Sequence, residues 1–260
     1  MNLLLLKALL TPSLIALVSV AGRRWGPSVS GLLVGLPLTS GPVLLILALQ
    51  SGTTFAADAA RGIIFGTVSV AVFCLVYGWM ALRWRWHIAL LVGWLAFLAA
   101  TALLQMVIVP LVIAYLACVA TMVVSLAVFP RVPEKTSAAM PPPAWDIPAR
   151  MAVATVFVLL LTNAASQLGP HLTGLLAPFP IFGSVLSAFT HAQAGTAAVL
   201  RLLRGLLVGL LSFASFFLVA GTLITSAGML PAFVAAVVTT VIIQSASQWL
   251  FARRREPRYA

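Results

Sequence analysis

Residues 26–53 read GPSVSGLLVGLPLTSGPVLLILALQSGT, and residues 169–196 read GPHLTGLLAPFPIFGSVLSAFTHAQAGT. Each stretch opens on Gly-Pro, carries Gly-Leu-Leu, meets a proline inside an apolar run and closes on Gln-x-Gly-Thr. At a fixed offset of 143, Gly26 aligns with Gly169, Pro37 with Pro180, Gln50 with Gln193, Thr53 with Thr196, and Arg61-Gly62 with Arg204-Gly205. From 26 to 78, 18 of 53 positions are identical at that offset. Shared hydrophobicity produces matches at Leu, Ala and Val; it does not account for matches at Gly, Pro, Gln, Thr and Arg. The two stretches therefore read as an internal duplication.

Composition sets the solvent. Of the 260 residues 62% are hydrophobic and only 7% charged, with a mean hydropathy of +1.14. A soluble domain carries about 25% charged residues, so long apolar runs place this chain in a membrane. The net charge of +11 does not point to nucleic acid, because no basic, aromatic-interleaved domain stands outside the apolar runs. Cys74 and Cys118 lie within apolar runs and are expected to be buried, unpaired and inert. Met1 to Val20 lacks a basic stretch before its apolar core, so it reads as a first membrane helix rather than a cleaved signal.

At about 20 apolar residues per crossing, nine transmembrane helices are expected, at 3–21, 28–49, 62–82, 88–105, 110–129, 149–168, 171–191, 199–224 and 231–251. The split near Gln105–Pro110 is needed because 88–129 is too long for one crossing. Residues 130–148 hold six prolines and read as a stiff spacer. The fold class is thus an all-α integral membrane protein: a first repeat over 1–105, a linking helix and Pro-rich linker over 106–148, a second repeat over 149–252, and a basic tail over 253–260.

Charge orients the chain. With the N-terminus outside and nine crossings, 13 of the 15 Lys and Arg residues fall on the cytoplasmic side; Lys7 and Arg61 fall outside. This follows the positive-inside rule and puts the C-terminus in the cytoplasm. Helices 1–4 correspond to helices 6–9 across an odd number of crossings, so the four-helix repeats are inverted, joined by a central helix.

Inverted repeats with interrupted helices in matching places are a signature of secondary transporters, whose site lies near the bilayer midplane. Helices 2 and 7 carry those interruptions at Pro37, Gly41, Pro180 and Gly183. A mid-helix proline frees backbone groups that only protein or cavity water can satisfy in a membrane. Thr39, Ser40 and Ser184 stand beside the breaks as hydroxyl donors. Simple kinking of packed helices is the plainer reading of any one proline. Gln50 and Gln193 end the two helices, as caps or as gate residues. Arg61 and Arg204 are expected to open the following helices, an unfavourable end for a cation, which invites an anionic ligand; Asp58, three residues before Arg61, is the plainer partner.

The four carboxylates, Asp58, Glu134, Asp146 and Glu256, lie outside the deep parts of the expected spans. That argues against a buried-carboxylate proton relay. His191 and His171 remain as titratable groups, with His191 the candidate for coupling and protonation. No metal spacing, phosphate loop or nucleophile–base set is present, so neither a cofactor nor enzymatic chemistry is expected.

Residues 174–210, GLLAPFPIFGSVLSAFTHAQAGTAAVLRLLRGLLVGL, resemble the GlpM-type family of small bacterial membrane proteins. The likeness lies in the leucine-rich entry, Phe-Pro-x-Phe at 179–182, the histidine at 191 and a basic residue before the next helix. It implies a bacterial inner-membrane protein built as a fused pair, and carries no catalytic residue over. The expected function is secondary transport or channelling of a small, anionic solute between helices 2 and 7. A non-transporting scaffold or assembly factor and a lipid flippase are the rival readings. The expected partners are the solute and membrane lipids, with oligomerisation open.

Overall fold

A computed structural model describes residues 3–107, 109–132, 143–160 and 179–253. Among them all regular structure is helical: α1 (Leu3–Trp25), α2 (Pro27–Val34), α3 (Ser40–Ser51), α4 (Thr53–Ala81), α5 (Trp86–Gln105), α6 (Leu111–Ala127), α7 (146–160), α8 (Ile181–Leu223) and α9 (Met229–Arg253). Four of these are long and apolar enough to cross a membrane: α4, α5 over Trp86–Leu104, α8, and α9 over Met229–Gln248. More than half of the apolar span of α4 (56%) and α8 (61%) is buried, against 22% in α5 and α9. The first pair therefore forms the centre and the second its flanks. Leu91, Leu95 and Leu103 on α5, and Val237, Val241 and Ile242 on α9, stay exposed, a surface suited to lipid rather than water.

Several expected boundaries move. The single helix expected at 28–49 is two helices, α2 and α3, separated by residues 35–39. The helix expected from 62 starts at Thr53, directly after Gly52 (φ 90°, ψ 166°). The helix expected from 199 continues from α8's first arm, 181–194, through a break at Gly195 (φ 77°, ψ −177°). Both turns use a backbone region that essentially only glycine occupies, so one residue makes each corner and no polar loop is required. The helix expected from 149 begins at Asp146. The split between α5 and α6 falls within 105–110, as expected. Gly169, Pro170, His171 and Gly174 lie outside the described residues.

α2 crosses α8's second arm, 196–223, with their backbones in close approach. Both carry the pentapeptide Gly-Leu-Leu-Val-Gly, at 31–35 and 205–209. A Cβ on Gly31 would collide with the Leu202 carbonyl, on Gly35 with the Gly209 backbone, and on Gly205 with the Ser28 carbonyl. Small residues allow this backbone-to-backbone approach, which is how helices associate when lipid removes the hydrophobic drive. Cys74 and Cys118 are buried and free.

Candidate functional site

Pro37 decides the first interruption. It has no N–H for the Leu33 carbonyl, so the Leu36 N–H turns to that carbonyl instead, at 3.1 Å. The Leu32 carbonyl thereby loses its helical donor. Gln244, from α9, replaces it: Nε2 donates to the Leu32 carbonyl at 2.9 Å. Ser212 Oγ holds the other end of that amide, 2.8 Å from Gln244 Oε1, and also lies 2.8 Å from the Gly209 carbonyl. Both side chains are buried. The helix restarts when the Gly41 N–H meets the Pro37 carbonyl at 2.9 Å.

A cavity of about 30 Å³ lies against this break, lined by Leu36, Leu38 and Thr39 from the interruption and by Phe182 from the start of α8. Room for about one water is all it offers. Residues of the α2–α3 break and Phe182, at the start of α8, therefore face one small space beside α1. Ser40 sits half-buried beside it, and Gly41 packs against the Phe216 ring.

Pro180 precedes α8, and its carbonyl accepts the Ser184 N–H at 2.8 Å. Gly183 approaches Leu206, on the same helix's second arm. Ser184, Ser187 and His191 then recur at helical spacing along one face of the first arm, all buried. Ser184 Oγ accepts from Trp94 Nε1 at 2.8 Å, and His191 Nδ1 lies 3.4 Å from the Tyr77 hydroxyl. Between them the Ser187 hydroxyl is fully buried and unpartnered, an arrangement that costs free energy wherever no water or ligand completes it.

The polar face ends in an ionic cluster. Asp146, 1% exposed, receives Arg150 Nε and Gln193 Nε2 on Oδ1, each at 2.7 Å, and Arg23 Nη2 on Oδ2 at 3.1 Å. Arg150 also reaches the Thr190 hydroxyl at 3.5 Å and lies over the Phe189 ring at 5.3 Å. Burial pushes the Asp146 carboxyl up. The hydrogen bond and charge of Arg150, with the bonds from Arg23 and Gln193, outweigh that and hold it below the usual carboxylate range. Sequence reasoning placed Asp146 in a linker and passed over it. Its one signal is the Asp146–Arg150 spacing of four, which pairs side chains along a helix.

Of the remaining expected residues, only Gln193 joins this cluster. Gln50 is exposed, while Gln193 is bound to Asp146. Arg61 pairs with Asp58 at 3.4 Å, and Arg204 makes no ion pair among the described residues. Both arginines lie more than two turns inside their helices, because those helices begin at the glycine corners. No unfavourable helix end therefore acts on either arginine.

No family model, curated protein or solved structure matches the chain. The architecture thus stands on its own terms: among the described residues, all-helical, with four apolar helices of membrane-crossing length and a buried polar file along one of them.

Proposed function

We propose that the chain is a bacterial inner-membrane carrier of a small anionic solute, with its N-terminus outside and its C-terminus in the cytoplasm. The observation that carries this reading is the Leu32 carbonyl. A backbone group freed by the α2–α3 break is held by a side chain from another helix, and a small cavity adjoins the same break, lined by Leu36, Leu38 and Thr39 with Phe182 from α8. Transporters place their sites at such breaks.

Element spacing supports an inverted repeat within this reading. α4 and the second arm of α8 begin at 53 and 196, and α5 and α9 at 86 and 229. Each pair differs by 143, the offset read from sequence. α6 is left as the linking helix. Contacts also sort by the expected side. Arg23, Asp146, Gln193 and the Thr196–Ala81 and Trp79–Val128 bonds belong to the expected cytoplasmic ends. Gly221 meets Ala60 and Leu111 at the expected outer ends. The anionic preference now draws on Arg23 and Arg150, which together exceed the single charge of Asp146.

The test is access. Single cysteines at Ser40 and Ser187, in a chain with Cys74 and Cys118 replaced, are labelled in membranes with an impermeant charged thiol reagent. Labelling that switches side when an anion is added is the expected result. Protection of both positions under every condition would mean a packed interior and would end the carrier reading.

A further inference from the structure

Asp146 is bound as a ligand would be. Its three donors come from three helices: Arg23 at the end of α1, Arg150 on α7 and Gln193 near the end of α8's first arm. Only Arg150 shares its helix. Planar guanidinium groups recognise carboxylate and phosphate oxygens in directed pairs, and here two of them converge on one carboxylate. One positive charge is left over. Gln193 Oε1 is buried without a partner, so the same pocket also offers an acceptor to a donor on whatever enters.

We propose that Asp146 is a built-in stand-in for the carried anion: it occupies an oxyanion site made by Arg23, Arg150 and Gln193, and an incoming carboxylate or phosphate group displaces it. Displacement unties α1 and α8 from α7 at this end of the bundle, so the substrate group itself opens the latch. An oxyanion that also bears a hydroxyl, such as hydrogen phosphate, satisfies both the arginines and Gln193 Oε1. The proposal rests on the carrier reading, and supplies its ligand chemistry. A free anion and an anionic lipid headgroup share that chemistry.

The experiment begins with full-length Asp146→Gly, which leaves a carboxylate-sized gap, purified in neutral detergent without lipid. Its unfolding temperature is followed with sodium formate, sodium phosphate or sodium chloride at equal ionic strength. Formate and phosphate are expected to raise it by at least about 3 °C, chloride not at all, and Arg150→Gln in the same background should remove the gain. An equal gain from chloride overturns the proposal, since screening alone would then be at work. A gain from phosphatidylglycerol in mixed micelles but not from free anions supports the site and assigns the occupant to lipid. Should Asp146→Gly not fold, Asp146→Asn keeps the shape: reconstituted in liposomes, it should admit labelled formate or phosphate about tenfold faster than the wild type. Influx equal to that of a transporting wild type removes the latch and leaves the carrier standing. Thermal gains with no uptake by either protein keep the oxyanion site and remove the carrier.

Discussion

At Gly52 the chain turns with φ 90° and ψ 166°, and at Gly195, 143 residues on, with φ 77° and ψ −177°. Each turn is flanked by the same Gln and Thr. Yet Gln50 is exposed, whereas Gln193 binds the buried Asp146, and Thr196 donates to the Ala81 carbonyl at 3.1 Å. The same divergence recurs deeper in the bundle. Ser212 and Gln244 hold the freed Leu32 carbonyl, while their counterparts at the same offset, Ser69 and Thr101, are buried with unpartnered hydroxyls. Equal local sequence gives equal backbone, because a turn's conformation is set by its own residues. Side-chain partners come from elsewhere in the chain, and there the two regions have separated.

The sharpest way to break this comparison is at the glycines. Gly205→Ala puts a methyl group onto the Ser28 carbonyl and should cost about 3 kcal/mol, read as a fall in unfolding temperature in detergent. Gly62→Ala, at the matching position, meets nothing within 4 Å and should gain up to about 1 kcal/mol from helix propensity. Equal losses at both would mean that the α2–α8 crossing is not as close as described.

The two glutamines offer a smaller contrast. Gln193→Ala should cost about 2 kcal/mol, because a bond to a buried charge is lost. Gln50→Ala should stay within about 0.5 kcal/mol of the wild type. At the break, Gln244→Leu strands the Leu32 carbonyl and should cost about 1.5 kcal/mol, while Thr101→Val removes an already unpartnered hydroxyl and should be neutral or stabilising. A matching loss for Thr101→Val would show that its hydroxyl has found a partner in membranes.

The last contrast is one of titration. Asp146 is held below its ordinary pKa, so its contribution to stability is complete above about pH 4, the unfolded value. It is lost as pH falls through the folded value. Wild type should therefore be more stable than Asp146→Asn at pH 7, with the gap closing as the pH is taken below about 4. A gap that widens on acidification would contradict the assigned direction.

Periodicity and apolar length were enough to read the helical spans, the helix break at Pro37 and the split before α6. All of these are properties of neighbouring residues: chain length against 1.5 Å per residue and a missing proline N–H. The same local reading misplaced Arg61 and Arg204 by expecting a polar loop where one glycine sufficed. It also left Asp146 in a linker, since nothing adjacent in sequence shows that Arg23 and Gln193, more than 40 residues away on either side, will converge on it. Gln244 was invisible for the same reason. Only packing decided which freed carbonyl it would reach, because hydrogen bonds inside a helix bundle are settled by whichever helix stands nearest the unsatisfied group.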